Sequence, residues 1–299
     1  MKRIILFLVT NLAVLFVLTI ATNVIFALCG KSVEQVFGPQ WGYYVVFAFV
    51  YGLGASMISL LLSKTMAKMS VKAKTITGEE GPTERWLVGT VADLAGRAGL
   101  KTPEVAIYEG EPNAFATGAF RNHALVAVST GILTQMNKEE LRAVLGHEMS
   151  HVSNGDMVTM GLLQGVLNAF VLLLSRVLGS VIANALSNER GGRRRGGGAL
   201  QTGIVYALQF VLGILASMIS MAFSRHREYA ADAGSAKLLG SPMLMIAALR
   251  RLGHMEPGAM PDSLKAFGIA TPKPKHASLF ASHPSLEDRI AALEKLTLF

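Results

Sequence analysis

The chain has 299 residues, of which 51% are hydrophobic and 16% are charged, and its formal net charge is +8. A charged fraction below the roughly 25% of an average soluble domain argues against an ordinary soluble protein, and the single cysteine excludes an internal disulfide. The basic residues lie beside long apolar stretches and accompany no nucleic-acid-binding motif, so membrane lipids, and not nucleic acid, are the predicted partner.

Residues 1–66 are predicted to form two transmembrane helices. The first apolar stretch, residues 4–28, is much longer than the roughly 7–15 apolar residues of a signal peptide, which predicts an uncleaved anchor. The second apolar stretch covers residues 41–62 and is followed by several lysines. Because loops rich in Lys and Arg stay in the cytoplasm, the chain after this stretch is predicted to be cytoplasmic.

Residues 67–156 have the pattern of a folded domain and form the first part of the predicted cytoplasmic protease. The stretch TERWLVGTVADLAGRAGL has apolar residues at helical spacing. PEVAIYEG is predicted to be a short strand, and NAFATGAF and HALVAVST are predicted to be two strands joined by a turn at RN. The prediction is a small sheet in a mainly helical protein.

The end of this region, NKEELRAVLGHEMSHVSNGD, is predicted to be a helix that begins with a capping-box pair, Asn137 and Glu140. Residues four apart share a helix face, so His147 and His151 can bind one zinc ion, and Glu148 can act as a general base beside it. This is the H-E-x-x-H pattern of metalloproteases. The alternative is a polar helix face without a metal, and a third ligand would favour the metal.

Residues 157–223 are predicted to form a hydrophobic helical hairpin. Its apolar stretches, 157–186 and 200–223, flank SNERGGRRRGGG, which is predicted to be a flexible connector in preference to an RNA-binding tract. Arginines in this connector oppose the positive-inside preference, so the hairpin either crosses the bilayer despite the charge or enters it partway. In both cases the chain returns to the side that it left, which predicts that the flanking regions share the cytoplasmic side.

Residues 224–299 form the second part of the predicted protease and are expected to supply the third metal ligand. In the predicted helix SRHREYAADAGSAKLLG, Glu228 and Asp232 are four residues apart and share a face. Glu228 can be the third ligand, and Asp232 can accept the ring N–H of a ligating histidine. The alternative is a solvated acidic pair beside neighbouring arginines. A Gly-, Pro- and Lys-rich loop near residues 253–276 and a helix after Pro284 are predicted to follow.

Four stretches resemble motifs of the HtpX family of bacterial membrane zinc metalloproteases, to which the type I CAAX prenyl protease is related. They are GHEMSHVSNGD, REYAADAGSAKL, EPNAFATG and SHPSLEDRI. The similarity covers nearly the whole chain, including the order of the apolar stretches. It implies a mainly α membrane protein with four hydrophobic helices and a cytoplasmic gluzincin-like α+β zinc protease domain with a small sheet. It also implies one zinc ion per chain, ligated by His147, His151 and Glu228, with Glu148 as general base and Asp232 supporting a ligand histidine.

The resemblance further implies roles for three residues outside these two helices. Asn113 is expected on an edge strand beside the site, where an extended substrate can pair through its backbone; the alternative is a plain turn residue. His283 could stabilise an oxyanion or approach the zinc. Arg289 could act similarly, and its alternative is an ion pair on a helix surface.

The function implied by the resemblance is hydrolysis of peptide bonds in misfolded or damaged membrane proteins. It places a multi-pass enzyme in the bacterial inner membrane, facing the cytoplasm, in stress-linked quality control. One alternative is a prenyl-protein endopeptidase, which would need more membrane helices than four. Another is a membrane scaffold or channel with structural zinc, although three ligands and no usable cysteine favour an open, catalytic site.

Overall fold

The computed structural model describes residues 41–188, 197–255 and 281–296, together with the isolated positions 20, 23, 24, 27 and 32. The first predicted apolar stretch, most of the Gly- and Arg-rich connector, and most of the loop near residues 253–276 lie outside the described residues. The described part is mainly helical with one small sheet, as the sequence predicts.

The α-helices with described bounds are numbered in chain order. They are α1 (Trp41–Ser70), α2 (Pro82–Arg97), α3 (Thr130–Gln135), α4 (Lys138–Asn154), α5 (Asp156–Asn188), α6 (Gly197–Leu239), α7 (Pro242–Gly253) and α8 (Leu286–Glu294). The strands are β1 (Lys74–Ile76), β2 (Glu104–Tyr108), β3 (Ala114–Thr117) and β4 (Leu125–Ser129).

Three helical segments in the described ranges are long and apolar enough to cross a membrane. They are Gly42–Ser70, Asp156–Leu186 and Gly198–Leu239, and they correspond to the second, third and fourth predicted apolar stretches. At about 1.5 Å per residue, roughly 20 residues suffice for the hydrocarbon core of a bilayer. The segment in α6 has 42 residues, so this helix continues well past its apolar part and carries Glu228 and Asp232.

The sheet has the strand order β1-β2-β4-β3. β2 pairs with β4 in parallel, and the other two neighbours pair in antiparallel orientation. The three strands predicted from sequence are confirmed, and so is the edge position of β3. The sequence did not predict β1, because three residues in a lysine-rich segment provide no alternating pattern.

The chain divides into two compact units, Met1–Ile58 with Gly161–Ser220, and Ser59–Met160 with Met221–Phe299. In the first unit, α1 and α5 approach closely through small residues. A Cβ atom on Gly52 would lie 2.8 Å from the backbone nitrogen of Ala169, and the Ser56 hydroxyl donates a hydrogen bond to the Gly161 carbonyl. Small residues at such contacts are typical of membrane helix pairs.

The second unit contains the sheet and a hydrophobic core between α2, α4 and α7. Leu87 and Leu94 of α2, Leu145 of α4 and Leu249 of α7 have no exposed surface. The helix α7 was not predicted from sequence, although its start has clear signals: Ser241 accepts a hydrogen bond from the Met243 N–H and Pro242 occupies the first turn. This core fixes one face of α4 and leaves the opposite face for the site.

Candidate metal centre

Helix α4 begins and ends with well-defined caps that fix the H-E-x-x-H residues. The Glu140 N–H donates to Asn137 Oδ1 at 2.9 Å and the Asn137 N–H donates to Glu140 Oε2 at 3.0 Å, so the predicted capping box is confirmed. The helix stops at Gly155, whose φ of 68° lies in the left-handed region that favours glycine. The chain turns there and begins α5 at Asp156.

Close packing of small residues brings α6 against α4. A Cβ atom on Gly234 would lie 2.5 Å from Ser150 Oγ, and one on Gly146 would lie 2.7 Å from Ser235 Oγ. The two serine hydroxyls donate to carbonyls of α4, Ser150 to Gly146 at 2.9 Å and Ser235 to Ala143 at 2.8 Å. The short distance between the helices lets a side chain of α6 reach the histidines of α4.

The structure brings the three predicted ligands together. His147 Nε2 and His151 Nε2 lie 3.1 Å apart, and Glu228 places one oxygen 3.4 Å from the first and the other 3.3 Å from the second. One ligand atom from each residue lies within 4.8 Å of the others, a cluster that could hold a metal ion. Both Glu228 oxygens are buried beside nitrogen atoms of histidine and arginine side chains, a setting that suits a carboxylate able to bind a cation.

His147 contacts Asp232, the acidic residue that was predicted to support a ligand histidine. Asp232 Oδ1 lies 2.8 Å from His147 Nδ1, which leaves Nε2 directed at the cluster. Arg289 in turn donates to both oxygens of Asp232, from Nε at 2.8 Å and from Nη2 at 2.7 Å. Asp232 and Arg289 are each 1% exposed, so both alternatives, a solvated acidic pair and an ion pair on a helix surface, are wrong.

His151 has its own carboxylate partner, which sequence reasoning missed. Asp156 Oδ2 lies 2.6 Å from His151 Nδ1. Arg227 of α6 is also buried and donates from Nη1 to the Asp156 carbonyl at 3.3 Å. The sequence feature that could have indicated this role of Asp156 is its position directly after the glycine that ends the helix, within the motif GHEMSHVSNGD.

Glu148 lies beside the cluster and opposite the edge strand. Burial raises the pKa of its carboxyl to about 7, although His147 and His151 oppose this shift. The carboxylate accepts a hydrogen bond from the Ala116 N–H of β3, and its Oε2 has no partner within the described ranges. Glu148 is therefore a carboxylate that can exchange a proton near neutral pH.

The histidines have raised pKa values in spite of their burial. Burial lowers the pKa of His151, but Glu228 and Asp156 outweigh it and raise the pKa to about 10. Burial likewise opposes the charged form of His147, and hydrogen bonds to the carboxylates of Asp232 and Glu228 raise its pKa. The carboxylates that favour a proton on these rings would equally favour a cation between them.

His283 and Asn113 also lie where a site residue could act. His283 Nδ1 is 2.8 Å from Glu228 Oε2, within the buried surroundings of the cluster. Asn113 directly precedes β3, is buried, and accepts the Ala114 N–H on its Oδ1 at 2.9 Å. The Ser129 N–H donates to the Asn113 carbonyl at 2.9 Å. By strand alternation, the backbone groups of Ala114 and Ala116 point away from β4, toward the open side of the edge strand.

All charged side chains that are buried in the described part of the chain, histidines aside, belong to this centre. They are four carboxylates and two guanidiniums: Glu148, Asp156, Glu228, Asp232, Arg227 and Arg289. Buried charge is costly unless it is compensated. The carboxylates outnumber the guanidiniums, so the donor set and the charge both fit a metal ion.

Comparisons with known proteins identify the family. The model of peptidase family M48 matches residues 82–297. A protease HtpX homolog of Janthinobacterium sp. (strain Marseille) is 53% identical over 298 residues, covering 99% of this chain and 100% of that protein. Protease HtpX of Stenotrophomonas maltophilia (strain K279a) is 52% identical over 301 residues, covering 100% of this chain and 99% of that protein.

A solved structure shares the fold. The crystal structure of S. mikatae Ste24p aligns with a TM-score of 0.57 at 20% identity, covering 97% of this chain and 67% of that chain. The resemblance stated from the sequence motifs is thus confirmed over the full length. The chain belongs to peptidase family M48 and is a membrane metalloendopeptidase.

Proposed function

We propose that the chain is a zinc-dependent endopeptidase that cleaves misfolded or damaged membrane proteins at the cytoplasmic face of the bacterial inner membrane, in stress-linked quality control. The observation that carries the proposal is the buried cluster of His147, His151 and Glu228, which lies in a centre where four buried carboxylates accompany two buried guanidiniums. Two imidazoles and one carboxylate are the ligand types of catalytic zinc sites. Three protein ligands would leave a position open for water or substrate, which favours an enzyme over a scaffold with structural zinc.

Zinc, when bound, would polarise the scissile carbonyl and acidify the attacking water. Glu148 would take a proton from that water and deliver it to the leaving amine, because a carboxyl with a pKa of about 7 can do both near neutral pH. Its unpartnered Oε2 is the atom for this transfer. Asp232 would hold His147 in the tautomer that leaves Nε2 free to bind the metal.

His283 and Arg289 are proposed to act on the same reaction in different ways. His283, beside Glu228, would donate a hydrogen bond to the oxyanion that forms from the scissile carbonyl. Arg289 places Nη1 3.6 Å from Glu228 Oε2 while its other nitrogens contact Asp232. Its positive charge would therefore hold both acidic residues in place.

The edge strand β3 is proposed to bind the substrate backbone. An extended peptide could add to β3 by donating its N–H groups to the outward carbonyls of Ala114 and Ala116, with Asn113 at the start of the strand. Recognition through the backbone imposes little side-chain preference, which suits a protease for many damaged substrates. Candidate membrane helices in the same chain support a membrane location.

The first test compares the purified parent chain with Glu148→Gln in mild detergent. Zinc per chain is measured by elemental analysis, and cleavage is measured with an unfolded protein substrate. Both proteins are expected to hold one zinc, and only the parent to cleave. Glu139→Gln is the matched control, since Glu139 is an exposed residue in the first turn of the same helix. Loss of zinc in Glu148→Gln would contradict the role of general base, and equal cleavage would contradict a catalytic role.

The second test concerns the side of the membrane. With Cys29 replaced by Ser, a single cysteine is placed either at Gly197 or at Glu139 and exposed to an impermeant thiol reagent in whole cells. A cytoplasmic protease domain predicts that Glu139→Cys is protected. Labelling of Gly197→Cys from outside would indicate that the hairpin crosses the bilayer, and protection would indicate a partial entry.

A further inference from the structure

We propose that Asp156 and Arg227 are positioning residues of the metal centre, which orient His151 as Asp232 and Arg289 orient His147. We call each acid with its arginine a positioning pair. The inference rests on the proposed function, because it assigns both residues to the ligand set of a bound metal. Neither the sequence motifs nor the family match gives Asp156 or Arg227 a role.

The geometry of the two positioning pairs is parallel. Each ligand histidine uses Nε2 for the cluster and Nδ1 for a carboxylate, at 2.8 Å for Asp232 and 2.6 Å for Asp156. A carboxylate at Nδ1 fixes the ring orientation and makes Nε2 a better metal ligand. The buried acid needs a compensating charge nearby, and in both pairs a buried arginine supplies it.

The two pairs differ in how the arginine reaches its acid. Arg289 contacts both carboxylate oxygens of Asp232, whereas Arg227 donates to the backbone carbonyl of Asp156 at 3.3 Å. Asp232 therefore shares its carboxylate between histidine and arginine. Asp156 directs its Oδ2 at His151, and Arg227 fixes the backbone from which that carboxylate extends.

Asp156 and Arg227 also lie at informative places along the chain. Asp156 is the first residue of α5, directly after the left-handed Gly155, and Arg227 directly precedes Glu228 on α6. The hydrogen bond between them ties the start of α5 to the segment of α6 that carries the third ligand. This contact fixes both the orientation of the His151 ring and the distance between α6 and that ring.

The test measures metal binding by the full-length chain, in addition to activity. Asp156→Ala and Asp156→Asn are compared with the parent by zinc competition against a chromophoric chelator, and by the visible absorption spectrum after cobalt(II) substitution. Loss of an outer partner of this kind typically weakens metal affinity by roughly 10–100-fold. We expect a loss in that range and an altered cobalt spectrum for Asp156→Ala, with Asp156→Asn intermediate because the amide oxygen can still accept from Nδ1.

The matched control is the same pair of substitutions at Asp93, an exposed acid on α2 that pairs with Arg97 and Arg142. These variants are expected to bind zinc as the parent does. Arg227→Lys is expected to retain more zinc affinity than Arg227→Met, since lysine can still donate to the Asp156 carbonyl. The KM for an unfolded substrate should change less than kcat in all Asp156 variants, because the substrate strand is not altered.

Parent affinity and an unchanged cobalt spectrum in Asp156→Ala would overturn the inference and leave the proposed function intact. If Asp156→Ala does not fold, Asp156→Asn decides: an affinity equal to that of the parent overturns the role. A parent chain that binds no zinc, or that binds it equally after His147→Ala, would overturn the proposed function itself.

Discussion

Arg289 donates two hydrogen bonds to the two carboxylate oxygens of Asp232 in a region that solvent does not reach. The two residues are 57 positions apart in the chain. Through this contact helix α8 is connected to His147, because Asp232 Oδ1, which accepts from Arg289 Nη2, also lies 2.8 Å from Nδ1 of the histidine ring. Arg289 is thus a structural element of the metal centre even though it comes from a different helix.

Removal of this arginine should strongly destabilise the protease unit. Arg289→Ala leaves Asp232 buried without its arginine, and breaking a buried ion pair typically costs about 3–5 kcal/mol. Arg250→Ala is the matched control, since Arg250 forms an exposed pair with Glu294 at 3.6 Å and such pairs contribute about 0–1 kcal/mol. Thermal unfolding of the parent and both variants checks the prediction, and equal midpoints for the two variants would contradict it.

The close contact between α4 and α6 predicts a strong effect of one added methyl group. Gly234→Ala places Cβ 2.5 Å from Ser150 Oγ and 2.8 Å from Ser150 Cβ, so the helices must separate. Because Glu228 is carried by α6, we expect lower zinc affinity and a lower unfolding temperature. Gly213→Ala, on the same helix with no atom within 4 Å of the added Cβ, should change neither. Zinc competition and thermal unfolding measure both effects.

Ser129 is predicted to position Asn113 at the substrate strand. Its buried Oγ accepts the Asn113 N–H at 2.8 Å and the Ile132 N–H at 3.2 Å. Ser129→Ala leaves two buried donors unsatisfied, so we expect a lower kcat/KM with zinc content unchanged, as also for Asn113→Ala. Ser241→Ala removes a helix cap elsewhere and is the control: it should lower stability by about 1 kcal/mol without changing kinetics. Loss of zinc in Ser129→Ala would show a different role.

Glu104 is predicted to make stability depend on acid pH. Burial of its carboxyl opposes ionisation, but Lys64 at 2.7 Å and Lys68 outweigh it and lower the pKa to about 2. A carboxyl whose pKa is lower in the folded than in the unfolded protein stabilises the fold at pH values above its unfolded-state pKa of 4.5. This contribution is lost as the pH falls from 4.5 toward about 2. The midpoint of thermal unfolding should therefore be higher for the parent than for Glu104→Gln at pH 7, and the difference between the two midpoints should shrink below about pH 4.5. A constant difference would contradict the assignment.

Local spacing indicated which side chains share a face at the candidate metal centre. The separation of four residues between His147 and His151, and between Glu228 and Asp232, is a property of one helix face and is visible in the sequence. The capping box at Asn137 was predicted for the same reason, since it depends on neighbours in the chain, whereas the edge position of β3 was implied by the family resemblance.

Contacts between distant segments were not predictable in this way. A helix pattern cannot place Asp156 beside His151, because the chain leaves the helix at Gly155 between them. The burial of Arg289 depends on where α8 packs, and its sequence alone left a surface ion pair open. The hydrogen bond from the Asn113 N–H to Ser129 Oγ joins residues that are 16 positions apart, so neither local sequence indicates it. The parallel pairing of β2 with β4 likewise cannot be recognised from the sequence of either strand.

The surplus of negative charge among the buried groups also bears on how the protein matures. A chain that has not yet acquired a cation must balance those carboxylates with protons on His147 and His151, so protons and metal compete for the same two rings. Metal loading should release protons and tighten the packing of α4 against α6 in one step. Folding of the protease unit and acquisition of its activity would then be a single event, governed by the supply of the metal.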